Sequence, residues 1–175
     1  YAMQVIYGHR GASGYAPENT LEAFELAAKM GAFGVELDVH VCKDGELIVA
    51  HDETIDRVSD GSGLICEMTT AELKKFHFNK THPEYKNATV PTLREVYELL
   101  KPYGLHVNVE LKNSRIRYPR LEEKCVELAA KMGMSDRILY SSFNHHSLLY
   151  LKELDASLKC GTLYDATLVR PWDYA

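Results

Sequence analysis

Apolar residues recur along this chain with two periods, one of two residues and one near 3.6, and the two alternate. MQVIYGH at 3–9 reads as a short strand. Thr20 to Met30 reads as a helix with Leu21, Phe24 and Ala28 on one apolar face. Pro17 and Asn19 suit its entry and Gly31 its end. FGVELDVHV at 33–41 predicts a second strand, KDGE at 43–46 a turn, and LIVAH at 47–51 the returning arm of a hairpin. PTLREVYELLK at 91–101 is helical, with Leu93, Val96, Leu99 and Leu100 on one side. HVNVELK at 106–112 predicts a third core strand. A helix over 120–132 follows, burying Leu121, Cys125, Leu128 and Ala129. RILYSSF at 137–143, a helix over 145–154 and KCGTLY at 159–164 complete the alternation with a fourth and a fifth strand.

Residues 52–90 break the rhythm. SDGSG at 59–63 is a loop, TTAELKKF at 69–76 carries a helix start, and NKTHPEYKNAT at 79–89 is polar and irregular. This span is expected to be a small insertion in a single domain covering 1–175.

Strands alternating with helices predict βαβ units and a parallel sheet, either doubly wound or closed as a (β/α)8 barrel. The strand faces favour the barrel. Val35, Leu37 and Val39 share one face of the second strand; Glu36, Asp38 and His40 share the other. Val107, Val109 and Leu111 likewise oppose Asn108, Glu110 and Lys112. A strand between two helix layers is apolar on both faces. A barrel strand instead shows one face to the helices and lines the mouth with the other, at the C-terminal ends where barrel active sites sit. A complete barrel needs about 250 residues. Only five of eight βα units are evident in these 175 residues, and the expectation is an incomplete record of a longer chain.

The formal net charge of −5 gives no electrostatic footprint for nucleic acid or an anionic membrane, so phosphate binding would have to come from a local site. Cysteines at 42, 66, 125 and 160 form no C-x-x-C pair, which argues against a zinc ribbon and for reduced thiols. Met3 is a candidate native start, and no apolar run has signal-peptide or membrane-spanning length. A cytoplasmic location without stable membrane insertion is therefore expected, with a processed mature chain as the alternative. The oligomeric state is left open.

Glu36 and Asp38, two apart on one strand face, stand roughly 7 Å apart between Cα atoms. Glu110 occupies the matching place on a later strand. Three converging acids repel and lose hydration, so their pKa values rise or a cation neutralises them. All-oxygen ligation suits Mg²⁺ or Ca²⁺. The alternative is structural pairing with Arg10, Lys112 or other cations. His9 ends the first strand and His51 ends the hairpin arm. Beside a metal, such a pair can supply the base and the acid of phosphoryl chemistry. Arg10 and Lys112 bring positive charge to the same rim, where arginine can grip a phosphate with two hydrogen bonds. Pro17 to Thr20 reads as the start of the first helix rather than as part of the chemistry.

The blocks HRGASGYAPENTLEAF, VELDVHVCKDGELIVAHDETIDRVSDGSG, VPTLREV and NVELK, in this order and spacing, resemble the signature of glycerophosphodiester phosphodiesterases. The resemblance covers residues 4–112, with YSSFN at 140–144 a weaker later match. It implies a TIM-like barrel and hydrolysis of small-molecule glycerophosphodiesters to glycerol 3-phosphate and an alcohol. It also implies one divalent metal ion (Mg²⁺ or Ca²⁺, with Mn²⁺ as a third candidate) held by Glu36, Asp38 and Glu110. His9 and His51 fall on the family's catalytic positions, and Arg10 and Lys112 on its phosphate contacts. The span 52–90 matches the family's insertion over the barrel mouth. The family's later blocks, including a Trp-Thr strand, do not match; the only tryptophan is Trp172, in RPWDY. Two rival readings stand beside hydrolysis of glycerophosphodiesters. One is a lysophospholipase-D-like or phospholipase-like enzyme on the same barrel, for which an apolar rim of Leu64, Ile65, Phe76 and Phe78 would be the mark. The other is a non-catalytic, phosphate-binding partial barrel.

Overall fold

The structure, a computed structural model, describes residues 5–174. Met3 and Gln4 of the expected opening strand lie outside this range. The elements run in chain order as β1 (Tyr7–His9), α1 (Leu21–Lys29), β2 (Gly34–Val41), β3 (Leu47–Val49), α2 (Thr70–Leu73), α3 (Leu93–Leu100), β4 (His106–Leu111), α4 (Leu121–Met132), β5 (Ile138–Ser142), α5 (His145–Leu154) and β6 (Lys159–Thr162). Short 3₁₀ turns punctuate them at Ile65–Glu67, Lys101–Tyr103, Ser135–Arg137 and Pro171–Asp173.

Five strands are parallel and lie in the order β1-β2-β4-β5-β6, and β3 pairs antiparallel with β2. Each new parallel strand adds to the same side of the last. A doubly wound sheet reverses direction at a switch point; this one does not, and its order is that of consecutive barrel units. The chain is thus α/β of the barrel type, with five of the eight strands present among the described residues.

The apolar faces predicted from the two-residue alternation are buried. Val35, Leu37 and Val39 of β2 and Val107, Val109 and Leu111 of β4 pack in one cluster with Phe24, Val96, Tyr97, Leu100, Leu121 and Cys125 from the helices. Helix α1 begins at Thr20, whose Oγ1 accepts the Ala23 N–H. Gly11 allows its close approach to β1: a Cβ there would stand 2.7 Å from the Ala23 backbone, and its φ of +81° suits only glycine without strain. Helix α3 opens with a full capping box between Thr92 and Glu95. The helix start expected within 69–76 opens one short helix, Thr70–Leu73, after which the chain turns back to bury Phe78.

Residues 52–90 pack mainly on the hairpin. Ile55, Ile65, Leu73, Phe78 and Val90 form a second apolar cluster with Cys42, Ile48 and Ala50. All four cysteines are free thiols. No described helix is long and apolar enough to cross a membrane.

Candidate active site

Register brings the acids together. His9 pairs with Glu36 across β1 and β2, and Asp38 pairs with Glu110 across β2 and β4. The period-two geometry puts Glu36 and Asp38 on one face, and the parallel pairing lays Glu110 beside them. One carboxylate oxygen from each lies within 4.8 Å of the others.

The turn after β1 is built around this cluster. Arg10 and Asn19 both adopt left-handed backbone conformations, with φ of 55° and 56°. Such values are uncommon outside glycine and concentrate at functional sites. They let the Arg10 N–H donate to Glu36 Oε2 at 3.1 Å and the Asn19 N–H donate to the Arg10 carbonyl at 3.0 Å. Asn19 Nδ2 then donates to Asp38 Oδ2 at 2.9 Å. The side chain of Arg10 reaches Glu18 at 3.0 Å. Pro17 to Thr20 therefore does more than start a helix: Glu18 and Asn19 hold Arg10 and Asp38.

Lys112 Nζ donates to Glu110 Oε1 at 2.9 Å and stands 3.6 Å from Asp38 Oδ1. Its charge offsets part of the acidic cluster. Burial and the neighbouring Asp38 charge still raise the Glu36 pKa to about 8 against the opposing pull of the Arg10 N–H. Burial and Asp38 push Glu110 up as well, with Lys112 working the other way. Three buried polar atoms at this spot lack hydrogen-bond partners among the described residues: Asp38 Oδ1, Asn19 Oδ1 and Arg10 Nε, the last standing 3.8 Å from Asp38 Oδ2. Two acceptors and one donor left open side by side call for a ligand with both positive and negative parts. The three carboxylates fit a hard divalent cation.

His9 stands at the exposed end of β1, with its side chain 70% accessible and Nε2 3.9 Å from Glu36. His51 arrives from the other direction, down the hairpin. Its ring and backbone are both held. Nδ1 lies 2.6 Å from Asp52 Oδ1. Burial opposes ionisation of Asp52, but hydrogen bonds from Arg57 and His51 prevail and hold its pKa at about 2. An ionised carboxylate only accepts, so His51 Nδ1 carries the proton. The His51 carbonyl accepts from Nε2 of buried His40 at 3.1 Å, and His40 Nδ1 in turn accepts the Tyr118 hydroxyl at 2.9 Å. Burial lowers the His40 pKa and keeps that ring neutral. A cavity of about 730 Å³ opens beside these groups, lined in part by His51, Asp52, Glu110, Lys112, Arg115 and Phe143.

The seven predicted site residues thus lie around one strand-end cluster: Glu36, Asp38 and Glu110 at its centre, with His9, Arg10, His51 and Lys112 about it. The apolar rim expected of Leu64, Ile65, Phe76 and Phe78 does not form, because Ile65 and Phe78 are buried in the second apolar cluster. Sequence reasoning passed over Glu18, Asn19, His40, Asp52 and Arg57. Asp52 had a signal, since it directly follows His51. The others act through tertiary contacts that no local spacing reveals. Away from the site, His77 pairs with Asp60, His82 lies edge-on to Tyr85, His106 stacks on Phe33, and His145 bonds the Leu163 carbonyl.

Comparison with known proteins gives the same family as the motifs. The family model for the glycerophosphoryl diester phosphodiesterase family matches residues 9–174. The chain is 41% identical over 172 residues to a glycerophosphodiester phosphodiesterase of Caldanaerobacter subterraneus subsp. tengcongensis, covering 98% of this chain and 71% of that one. It is 42% identical over 163 residues to another from Bacillus altitudinis, covering 92% of this chain and 66% of that one. It superposes with a TM-score of 0.83 and 35% identity on an Oleispira antarctica phosphodiesterase solved in complex with the product sn-glycerol-3-phosphate, covering 98% of this chain and 70% of that one. The chain spans about two thirds to seven tenths of the length of these relatives. It belongs to the glycerophosphoryl diester phosphodiesterase family, a family of phosphoric diester hydrolases.

Proposed function

We propose that the cluster is the catalytic centre for hydrolysis of glycerophosphodiesters to glycerol 3-phosphate and an alcohol. The observation that carries this reading is the juxtaposition of three carboxylates with unpartnered Asp38 Oδ1, Asn19 Oδ1 and Arg10 Nε. It favours a divalent cation and a phosphate together over either alone. In this reading Glu36, Asp38 and Glu110 hold one Mg²⁺ or Ca²⁺, with Mn²⁺ a third candidate. A cation so placed would polarise phosphate oxygens and neutralise charge developing on them.

The chain's own residues supply the rest. Arg10 and Lys112 bind the phosphate. His9, at the open rim, takes the proton from the attacking oxygen as it bonds to phosphorus. That oxygen is water's, giving glycerol 3-phosphate directly, or the adjacent glycerol hydroxyl's, giving a cyclic phosphate that water then opens. His51, with Nδ1 held by Asp52, gives a proton from Nε2 to the departing alkoxide as its P–O bond breaks. The segment 52–90 covers the mouth and shapes the alcohol side, where its Tyr85 hydroxyl reaches the Tyr15 carbonyl at 3.2 Å.

The test is turnover of a glycerophosphodiester followed by release of glycerol 3-phosphate. His9→Ala and His51→Ala are each expected to lose on the order of 100-fold or more in kcat while keeping a native thermal midpoint. Chelation is expected to abolish turnover and added Mg²⁺, Ca²⁺ or Mn²⁺ to restore it. Near-wild-type kcat in either variant removes that histidine's role, and full activity after exhaustive chelation removes the metal.

A further inference from the structure

Arg57 lies in the insertion, outside the strands, and takes no part in the mechanism above. Its guanidinium nevertheless makes the densest set of polar contacts near the site. Nη1 donates to Glu18 Oε2 at 2.9 Å and Nη2 to Glu18 Oε1 at 2.8 Å. Nε donates to Asp52 Oδ2 at 2.7 Å, with Nη2 also 3.3 Å from Asp52 Oδ1. One planar cation thus grips two carboxylates at once, a geometry lysine cannot copy. Each carboxylate leads to a different part of the site. Asp52 accepts from His51 Nδ1, and Glu18 accepts from Arg10 Nη1. A continuous chain runs from Arg10 through Glu18, Arg57 and Asp52 to His51, and joins the loop after β1 to the end of the hairpin.

We propose that Arg57 is a positioning residue for His51, acting through Asp52. It fixes the carboxylate in the orientation that accepts Nδ1–H. That contact sets the ring's plane, keeps the proton on Nδ1, and stabilises the imidazolium whose Nε2 faces the departing alcohol. Its second grip, on Glu18, keeps the insertion registered to the loop that carries Arg10. The proposal rests on the reading of His51 as general acid.

That dependence supplies the test. A general acid matters for a poor leaving group such as an alkyl alcohol and little for a good one such as p-nitrophenol. In the full-length protein with saturating Mg²⁺, Asp52→Asn and Arg57→Ala are expected to cut kcat on an alkyl glycerophosphodiester roughly 10–100-fold, and on the p-nitrophenyl diester about threefold or less. Arg57→Lys, which keeps the charge but cannot grip both carboxylates, is expected to fall between. The ring ¹⁵N signals of His51 are expected to show the Nδ1–H form in the wild type and to lose that preference in Asp52→Asn. Equal losses on both substrates would make Arg57 a fold-holding residue and overturn the proposal; so would wild-type kcat in Asp52→Asn and Arg57→Lys. His51→Asn separates the two layers. If it spares the alkyl substrate, the general-acid reading itself has failed. If it abolishes that turnover while Asp52→Asn and Arg57→Lys do not, only the positioning role has. Should Arg57→Ala not fold, Asp52→Asn and Arg57→Lys carry the same comparison.

Discussion

Glu36 shows how much a single position bears. In the metal-free chain, burial and then the neighbouring Asp38 charge raise its carboxyl pKa to about 8, against an ordinary value of 4.5. The folded state therefore binds more protons than the unfolded one between those values, and stability falls as pH rises through that window. Glu36→Gln removes this penalty and keeps an acceptor for the Arg10 N–H. In chelated protein the variant is expected to melt roughly 3 °C or more above the wild type at pH 8, given about 2–4 °C per kcal/mol for a domain of this size. The difference is expected to vanish near pH 4. Thermal melts at the two pH values check it, and a lower midpoint at pH 8 would mean Glu36 is held by favourable contacts stronger than the repulsion. The acids were legible from spacing alone, because alternate strand residues must share a face. Glu18 and Asn19 were not. The PENT segment reads locally as a helix entry, and only the left-handed turn at Arg10 and Asn19 shows that two of its side chains turn back to the site.

At the level of elements, β2 was the most legible. Its apolar side is buried without exception, and its acidic side faces the cluster. Helix α4 was legible in Leu121, Cys125 and Ala129, but Glu122 is buried with them. Asn113, just past β4, donates to it at 2.8 Å and reaches Ser147 at the start of α5, a meeting of three segments that sequence periodicity cannot foresee. Helix α3 joins the two apolar clusters at its first turn. Thr92 caps it, Glu95 closes the capping box, and Lys74 from the insertion reaches Glu95 at 2.6 Å. Thr92→Ala breaks the box and leaves Glu95 and Lys74 less well placed. It is expected to cost about 1–2 kcal/mol, read as a lower denaturant midpoint at unchanged m-value. A change in m-value would mean the insertion detaches as a separate unit.

For the molecule as a whole, the order of parallel strands was the decisive feature. Acidic residues on one strand face point to a barrel, and the unbroken progression of parallel strands from β1 to β6 bears that out. The number of strands was legible too, since each occupies its own apolar run. What stayed hidden was the way the insertion engages the site, because Arg57 lies in a polar stretch with no period to mark it. Long-range charge pairs leave no rhythm in sequence.

The closure of the insertion at its base has a consequence of its own. Ile48 bridges to Thr92, and the Val49 N–H donates to the Pro91 carbonyl at 2.9 Å, so the segment leaves and rejoins the sheet at one point. Its far side, residues 80–87, is mostly exposed. Such a segment behaves like a cap on a fixed socket: the neck sets the position of His51, and the crown is held by few contacts, among them Tyr85 to the Tyr15 carbonyl and Lys80 to the Asp56 carbonyl. Doubling a loop's length costs only about 0.6 kcal/mol. Adding four Gly/Ser residues after Glu84 is therefore expected to leave the thermal midpoint within about 2 °C while changing KM among alcohol moieties more than kcat. A large drop in midpoint would show that the crown is fastened as firmly as the neck. On the proposed reading, diversity in the alcohol accepted accumulates at the crown with little disturbance to the proposed catalytic groups.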